Sequence, residues 1–150
     1  MKFSAAHFTI FSATERENLH GHNFTVHAEF TAVVTENGIT VDYRKTRKKL
    51  IELCNGLNEI VLLPTQSPHL RLQIDDKRIV AHFADEELVF LKRDVKLLPL
   101  RNVTIEELAS YLLDILVAEM AVGSESTVTA IAVRVFSGPG QSARVRWVRS

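Results

Sequence analysis

The sequence is short of three things: cysteine, net charge and long apolar runs. One cysteine, Cys54, in 150 residues rules out an intramolecular disulfide, argues against a closed cysteine and histidine metal site, and fits a reducing cytoplasm. The 18 basic and 18 acidic side chains cancel, so no overall field draws the chain to nucleic acid or an anionic membrane. No apolar stretch approaches the ~18 residues that would span a bilayer, and the chain opens directly on a strand pattern rather than on a signal peptide. With 46% hydrophobic residues it can bury a real core as one domain over 1–150. The expectation is a soluble cytoplasmic protein with neither a nucleic-acid nor a membrane partner.

Histidine is where the sequence becomes specific. Residues two apart on a strand share a face, so His20 and His22 stand side by side, and His7 can join them from a neighbouring antiparallel strand. Three imidazoles suit a zinc ion at about 2.0–2.1 Å and leave its fourth position open, as in catalytic sites. His-x-His pairs also occur on strands as packing or exposed polar residues. Here Phe24, Val26, Ala28 and Phe30 continue the same face, so the histidines end a core-facing row, where an imidazole needs a partner.

The periodicity predicts strands over 2–10 and 22–35, a polar loop around Ser12 to Asn18, a turn at Glu36-Asn37-Gly38 and a short extended piece from Ile39 to Val41. A helix follows from about Tyr43 to Leu57, with Leu50, Leu53, Cys54 and Leu57 on its apolar face and a stop at Asn55-Gly56. A second begins at a capping box, Thr104 as N-cap and Glu107 at its third position, and buries Ile105, Leu108, Ala109, Leu112, Ile115 and Leu116. After a break at Gly123 to Ser126 come strands over 127–136 and 143–149, joined by a turn at Ser137 to Gly140. The order ββααββ reads as an α+β fold with both helices on one face of an antiparallel sheet. Residues 68–95 read as an inserted hairpin or small sheet, with short strands at Leu70 to Asp75, Arg78 to Phe83 and Glu87 to Leu91.

The segments Phe3 to Phe8 (FSAAHF), Glu17 to Phe24 (ENLHGHNF) and Val41 to Tyr43 (VDY) together resemble the 6-pyruvoyl-tetrahydropterin synthase and 6-carboxytetrahydropterin synthase family. The likeness covers nearly the whole chain apart from the insertion. It implies the T-fold, a four-stranded antiparallel sheet backed by two helices. Subunits of that fold join edge to edge into a barrel and commonly form hexamers, which would also cover open sheet edges. It implies zinc on His7, His20 and His22. The family's usual cysteine is absent from the loop Thr14 to Leu19, but a branch of the family carries glutamate there, and Glu17 holds that position. A carboxylate can serve as the base if burial raises its pKa toward the working pH.

Two further positions depart from the family pattern. Asn58-Glu59 stands where an Asp-His pair is usual, leaving Glu59 as the group able to move a proton, and Ser137 stands where a glutamate normally grips the pterin. Thr104 and Glu106 match the family's Thr-x-Glu pocket element, although Thr104 is also explained as a helix cap. The run Arg44, Lys45, Arg47, Lys48 and Lys49 reads as a solvated helix face, and His27, His69 and His82 as ordinary surface or hairpin residues.

The expected function is therefore a zinc-dependent synthase acting on 7,8-dihydroneopterin triphosphate or a related pterin, by carbon–oxygen lyase or side-chain cleavage chemistry. In this reading Glu17 and Glu59 are catalytic, Thr104 and Glu106 bind substrate, and the protein is a homo-oligomer. Two alternatives stand beside it: a zinc-binding T-fold protein that binds pterin or acts as a scaffold without synthase activity, and a zinc lyase or hydrolase for another substrate.

Overall fold

The computed structural model describes residues 1–120 and 127–150. The expected break at Gly123 to Ser126 lies outside the described residues. In chain order the elements are β1 (Lys2–His7), β2 (His20–Ala32), α1 (Tyr43–Asn55), β3 (Ile60–Pro64), β4 (Arg71–Ile74), β5 (Arg78–Phe83), β6 (Glu86–Leu91), β7 (Val95–Leu98), α2 (Ile105–Met120), β8 (Val128–Gly138) and β9 (Gln141–Val148).

The main sheet has six strands in the order β7-β3-β1-β2-β8-β9. Its β1-β2-β8-β9 portion is antiparallel, as expected. The expected four-stranded count needs correction, because β3 runs parallel to β1 and β7 parallel to β3. These two strands are short, nearly unbroken apolar runs, and such runs lack the alternation that marks a half-exposed strand.

Several predicted boundaries also move. β1 stops at His7, opposite His20, because beyond it the backbone bonds elsewhere: the Thr9 N–H donates to Glu17 and the Ile10 N–H to Asn102. β2 ends at Ala32, after a register shift at Thr31/Ala32. Ile39 to Val41 is not a strand; the Ile39 carbonyl closes a loop by accepting from the Thr35 N–H at 3.1 Å.

Both helices pack on one side of the sheet. Asp42 caps α1 by accepting from the Arg44 N–H, and Gly56 ends it, its N–H donating to the Glu52 and Cys54 carbonyls. Thr104 caps α2, its Oγ1 accepting from the Glu107 N–H at 3.3 Å. The Glu107 carboxylate, however, turns to Arg101. Leu50 and Cys54 from α1 and Leu108, Leu112 and Leu116 from α2 share one core with Phe3, Phe24, Val26, Ile131 and Val133 of the sheet. Burial pushes the Cys54 thiol up, consistent with an inert core residue. The side chain of Leu112 has no solvent exposure, so Leu112→Ala is expected to cost about 2–5 kcal/mol in urea denaturation.

The insertion forms a separate sheet in the order β4-β5-β6, on the three segments expected to be extended. It shares a second core with the segment after β1: Phe8, Ile10, Leu63, Leu70, Ile79, Ala81, Phe83 and Val95. His82 lies half-buried there, its Nδ1 3.1 Å from Glu87. The basic face of α1 is exposed and locally paired, Arg44 with Asp42, Lys48 with Glu52, and Lys49 with Glu119 of α2. Among the described residues no helix is long and apolar enough to cross a membrane.

Candidate functional site

Antiparallel pairing of β1 with β2 sets His7 directly opposite His20. The alternation along β2 then points His22 to the same face, above Phe24 and Val26, which are fully buried. The three imidazoles form the one cluster of potential metal ligands among the described residues, with a ligand atom from each lying within 4.8 Å of the others. His20 Nε2 and His22 Nε2 are 3.0 Å apart. Two ligands of a tetrahedral zinc stand about 3.3 Å apart, so this separation is close to what the ion requires.

Hydrogen bonds fix which nitrogen His7 and His20 present. The His7 Nδ1–H donates to the Val103 carbonyl at 2.7 Å, and the His20 Nδ1–H to the Asn18 carbonyl at 2.8 Å. The Nε2 lone pair of each ring is therefore free for the cluster, and a backbone partner of this kind is what orients metal-binding histidines. His7 Nε2 is buried and has no hydrogen-bond partner. An unsatisfied buried nitrogen is costly unless something ligates it, so the site fits a metal. Burial, aided by the charges His20 and His22 carry when protonated, outweighs the bond to Val103 and holds the His7 imidazole below its ordinary value, favouring the neutral, ligating form.

The histidines line a cleft of about 460 Å³ together with Thr9, Glu17, Thr104, Ile105, Glu106 and Ser137. Glu17 sits at the rim, its Oε2 3.9 Å from His20 Nε2 and accepting from the Thr9 N–H at 2.9 Å. The sequence reading required burial to raise its pKa. Burial does act in that direction, but the bonds from Thr9 and the nearby histidines prevail, and the carboxyl is held below its usual range. Glu17 is thus a carboxylate at neutral pH.

Thr104 and Glu106 also reach this cleft, from the start of α2. So does Ser137, whose Oγ–H donates to Gln141 Oε1 at 3.1 Å. Glu59 does not line the cleft of Glu17. It lines a neighbouring one with Ser4, Ala6, His22 and Asn23, in a left-handed backbone conformation at φ 56°, its N–H donating to the Ser4 carbonyl. The neighbouring Asn58 Oδ1 accepts from the Ser4 N–H at 2.8 Å.

Thr9 and Gln141 line the histidine cleft without having been singled out in the sequence. Thr9 carried a signal, since it lies two residues after His7. Gln141 had none, because its place depends on the turn between β8 and β9, where Gly140 takes φ 83°.

The Plasmodium vivax 6-pyruvoyl tetrahydropterin synthase superposes with a TM-score of 0.90 at 28% identity, covering 99% of this chain and 92% of that one. Two further structures of the vivax protein carry alanine or cysteine in place of a glutamate described as a catalytic residue. The Plasmodium falciparum 6-pyruvoyl tetrahydropterin synthase superposes at 0.91 with 29% identity and the same coverage. A Methanocaldococcus jannaschii protein provisionally described as a 6-carboxy-5,6,7,8-tetrahydropterin synthase is 26% identical over 147 residues, which is 97% of this chain and 90% of that protein. The profile of the 6-pyruvoyl tetrahydropterin synthase family matches residues 1–147, almost the whole chain, and on that match the protein belongs to this family.

Proposed function

We propose that this chain is a zinc-dependent, pterin-processing lyase that acts on 7,8-dihydroneopterin triphosphate or a close relative, with Glu17 as its proton-transfer group. The observation that carries the reading is the meeting in one cleft of a buried, unpartnered His7 Nε2, the Nε2 atoms of His20 and His22, and an ionised carboxylate. A zinc ion held by these histidines would polarise substrate oxygens and acidify adjacent C–H and O–H groups. Glu17, held ready by Thr9, takes a proton from the substrate side chain and returns it later in the reaction. The likeness to a Plasmodium vivax enzyme with a glutamate described as catalytic supports a carboxylate, here Glu17, in the proton-transfer role, by carbon–oxygen lyase or side-chain cleavage chemistry.

Glu106 is the proposed anchor for the pterin ring in place of the missing family glutamate, with Thr104 beside it at the helix start. Glu106→Ala is expected to weaken pterin binding by about tenfold or more, the worth of a charge-assisted hydrogen bond. Titration with a non-reactive pterin measures this, and wild-type affinity would remove Glu106 from the site. Glu59 lines a neighbouring cleft that His22 also lines, rather than the cleft that holds Glu17, and its proposed catalytic role is from that side. The protein is further proposed to be a homo-oligomer, a hexamer by family likeness.

The test is incubation of zinc-loaded protein with 7,8-dihydroneopterin triphosphate and identification of products by mass spectrometry. A 6-pyruvoyl, 6-carboxy or 6-hydroxymethyl pterin establishes synthase activity and names its branch. Unchanged substrate that nevertheless binds would turn the assignment to a pterin-binding protein, and zinc retention without pterin binding to a zinc enzyme for another substrate.

A further inference from the structure

Arg16 of the Glu17 loop reaches the insertion and bonds Glu86. Its Nε donates to Glu86 Oε2 of β6 at 2.9 Å, its Nη2 donates to the same oxygen, and its Nη1 donates to the Glu17 carbonyl at 2.8 Å. The guanidinium lies over the rings of Phe8 and Phe83, 5.2 and 5.7 Å from their centroids, and only 14% of the side chain is exposed. Phe83 ends β5, and both rings belong to the core shared by the insertion and the segment after β1.

From the other side Thr9 holds Glu17 twice: its carbonyl accepts from the Glu17 N–H at 2.9 Å and its own N–H donates to the carboxylate. Glu86 is itself half exposed, but the Arg16 side of the pair is mostly buried over two aromatic rings and forked onto two acceptors, a geometry that lysine cannot reproduce.

We infer that the inserted sheet is a positioning device for catalysis: through Glu86 and Phe83 it fixes Arg16, and Arg16 fixes the backbone carrying Glu17. Arg16 and Glu86 are positioning residues that need not touch substrate. The inference rests on the functional reading above for its kinetic consequences, while its structural half can be measured without turnover. A general base displaced by about 1 Å can lose two orders of magnitude in rate while substrate affinity is retained.

The experiment compares zinc-loaded wild type with Glu86→Ala, Arg16→Lys, Glu86→Gln and Glu87→Ala, the last removing the neighbouring β6 carboxylate that meets His82 instead of Arg16. Glu86→Ala and Arg16→Lys are expected to lower kcat about 10- to 100-fold with KM changed less than about threefold. Zinc content should stay at the wild-type value, and amide exchange should accelerate across residues 11–19. Glu86→Gln keeps an acceptor oxygen and should recover most of the loss, and Glu87→Ala should match wild type.

Wild-type kcat and loop exchange in Glu86→Ala would overturn the inference, as would an equal loss in Glu87→Ala, which would mark general weakening of the insertion. If wild type itself turns over no pterin, the functional reading fails and loop exchange alone decides. Faster exchange at 11–19 in Glu86→Ala would then support the clamp, and unchanged exchange would overturn it.

Discussion

Glu17→Gln is expected to lower kcat by about 10²- to 10⁴-fold, the usual worth of a general base, while the protein keeps its fold and its zinc. Glutamine preserves the shape of the side chain and an oxygen for the Thr9 N–H, so the loop hydrogen bond survives and the proton acceptor is lost. In the proposed role Glu17 is ready rather than activated on demand. Thr9 and the neighbouring histidines hold the carboxyl below its ordinary range, so it is ionised at neutral pH without any rearrangement. Steady-state kinetics with metal analysis of the same sample gives the answer. A kcat within tenfold of wild type would exclude Glu17 as the proton-transfer group and leave the cleft without an assigned base.

The second large effect is expected at the histidines. A structural zinc site yields about 10–16 kcal/mol in all, so one ligand's share is about 3 kcal/mol, and His20→Ala is expected to weaken zinc binding about a hundredfold and to abolish turnover. His20 is a cleaner test than His7. The His20 ring is partly exposed at the end of β2, whereas removing the buried His7 ring would also leave the Val103 carbonyl without its donor. Chelation should lower the melting temperature of wild type, because a ligand that binds only the folded state at about a hundred times its dissociation constant adds about 2.7 kcal/mol. His20→Ala should show no such response. Full zinc occupancy in that variant would refute the three-histidine site.

The relation between sequence and structure differs from element to element. The histidine triad was legible because period two along β2 and an antiparallel partner suffice to bring His7, His20 and His22 together, and each condition is local or nearly so. The Thr104 cap of α2 and the stop of α1 at Asn55-Gly56 were legible for the same reason, since each acts within a few residues of itself. β3 and β7 were not, because an apolar run of four or five residues does not announce its pairing partner. The strand order that places β3 between β1 and β7 is a property of the assembled sheet.

The candidate site divides along the same line. By itself the sequence determined the histidine triad, the carboxylate three residues before His20, the α+β class and the insertion as a separate unit. Only the tertiary structure decided that Glu17 is held ionised, that Glu59 lines a different cleft, that Gln141 joins the histidines, and that Arg16 is gripped by Glu86 from 70 residues away. Backbone periodicity fixes which neighbours along the chain share a face. The protonation of a carboxylate and the posture of a loop depend on groups distant in sequence, and only the packed fold brings those groups together.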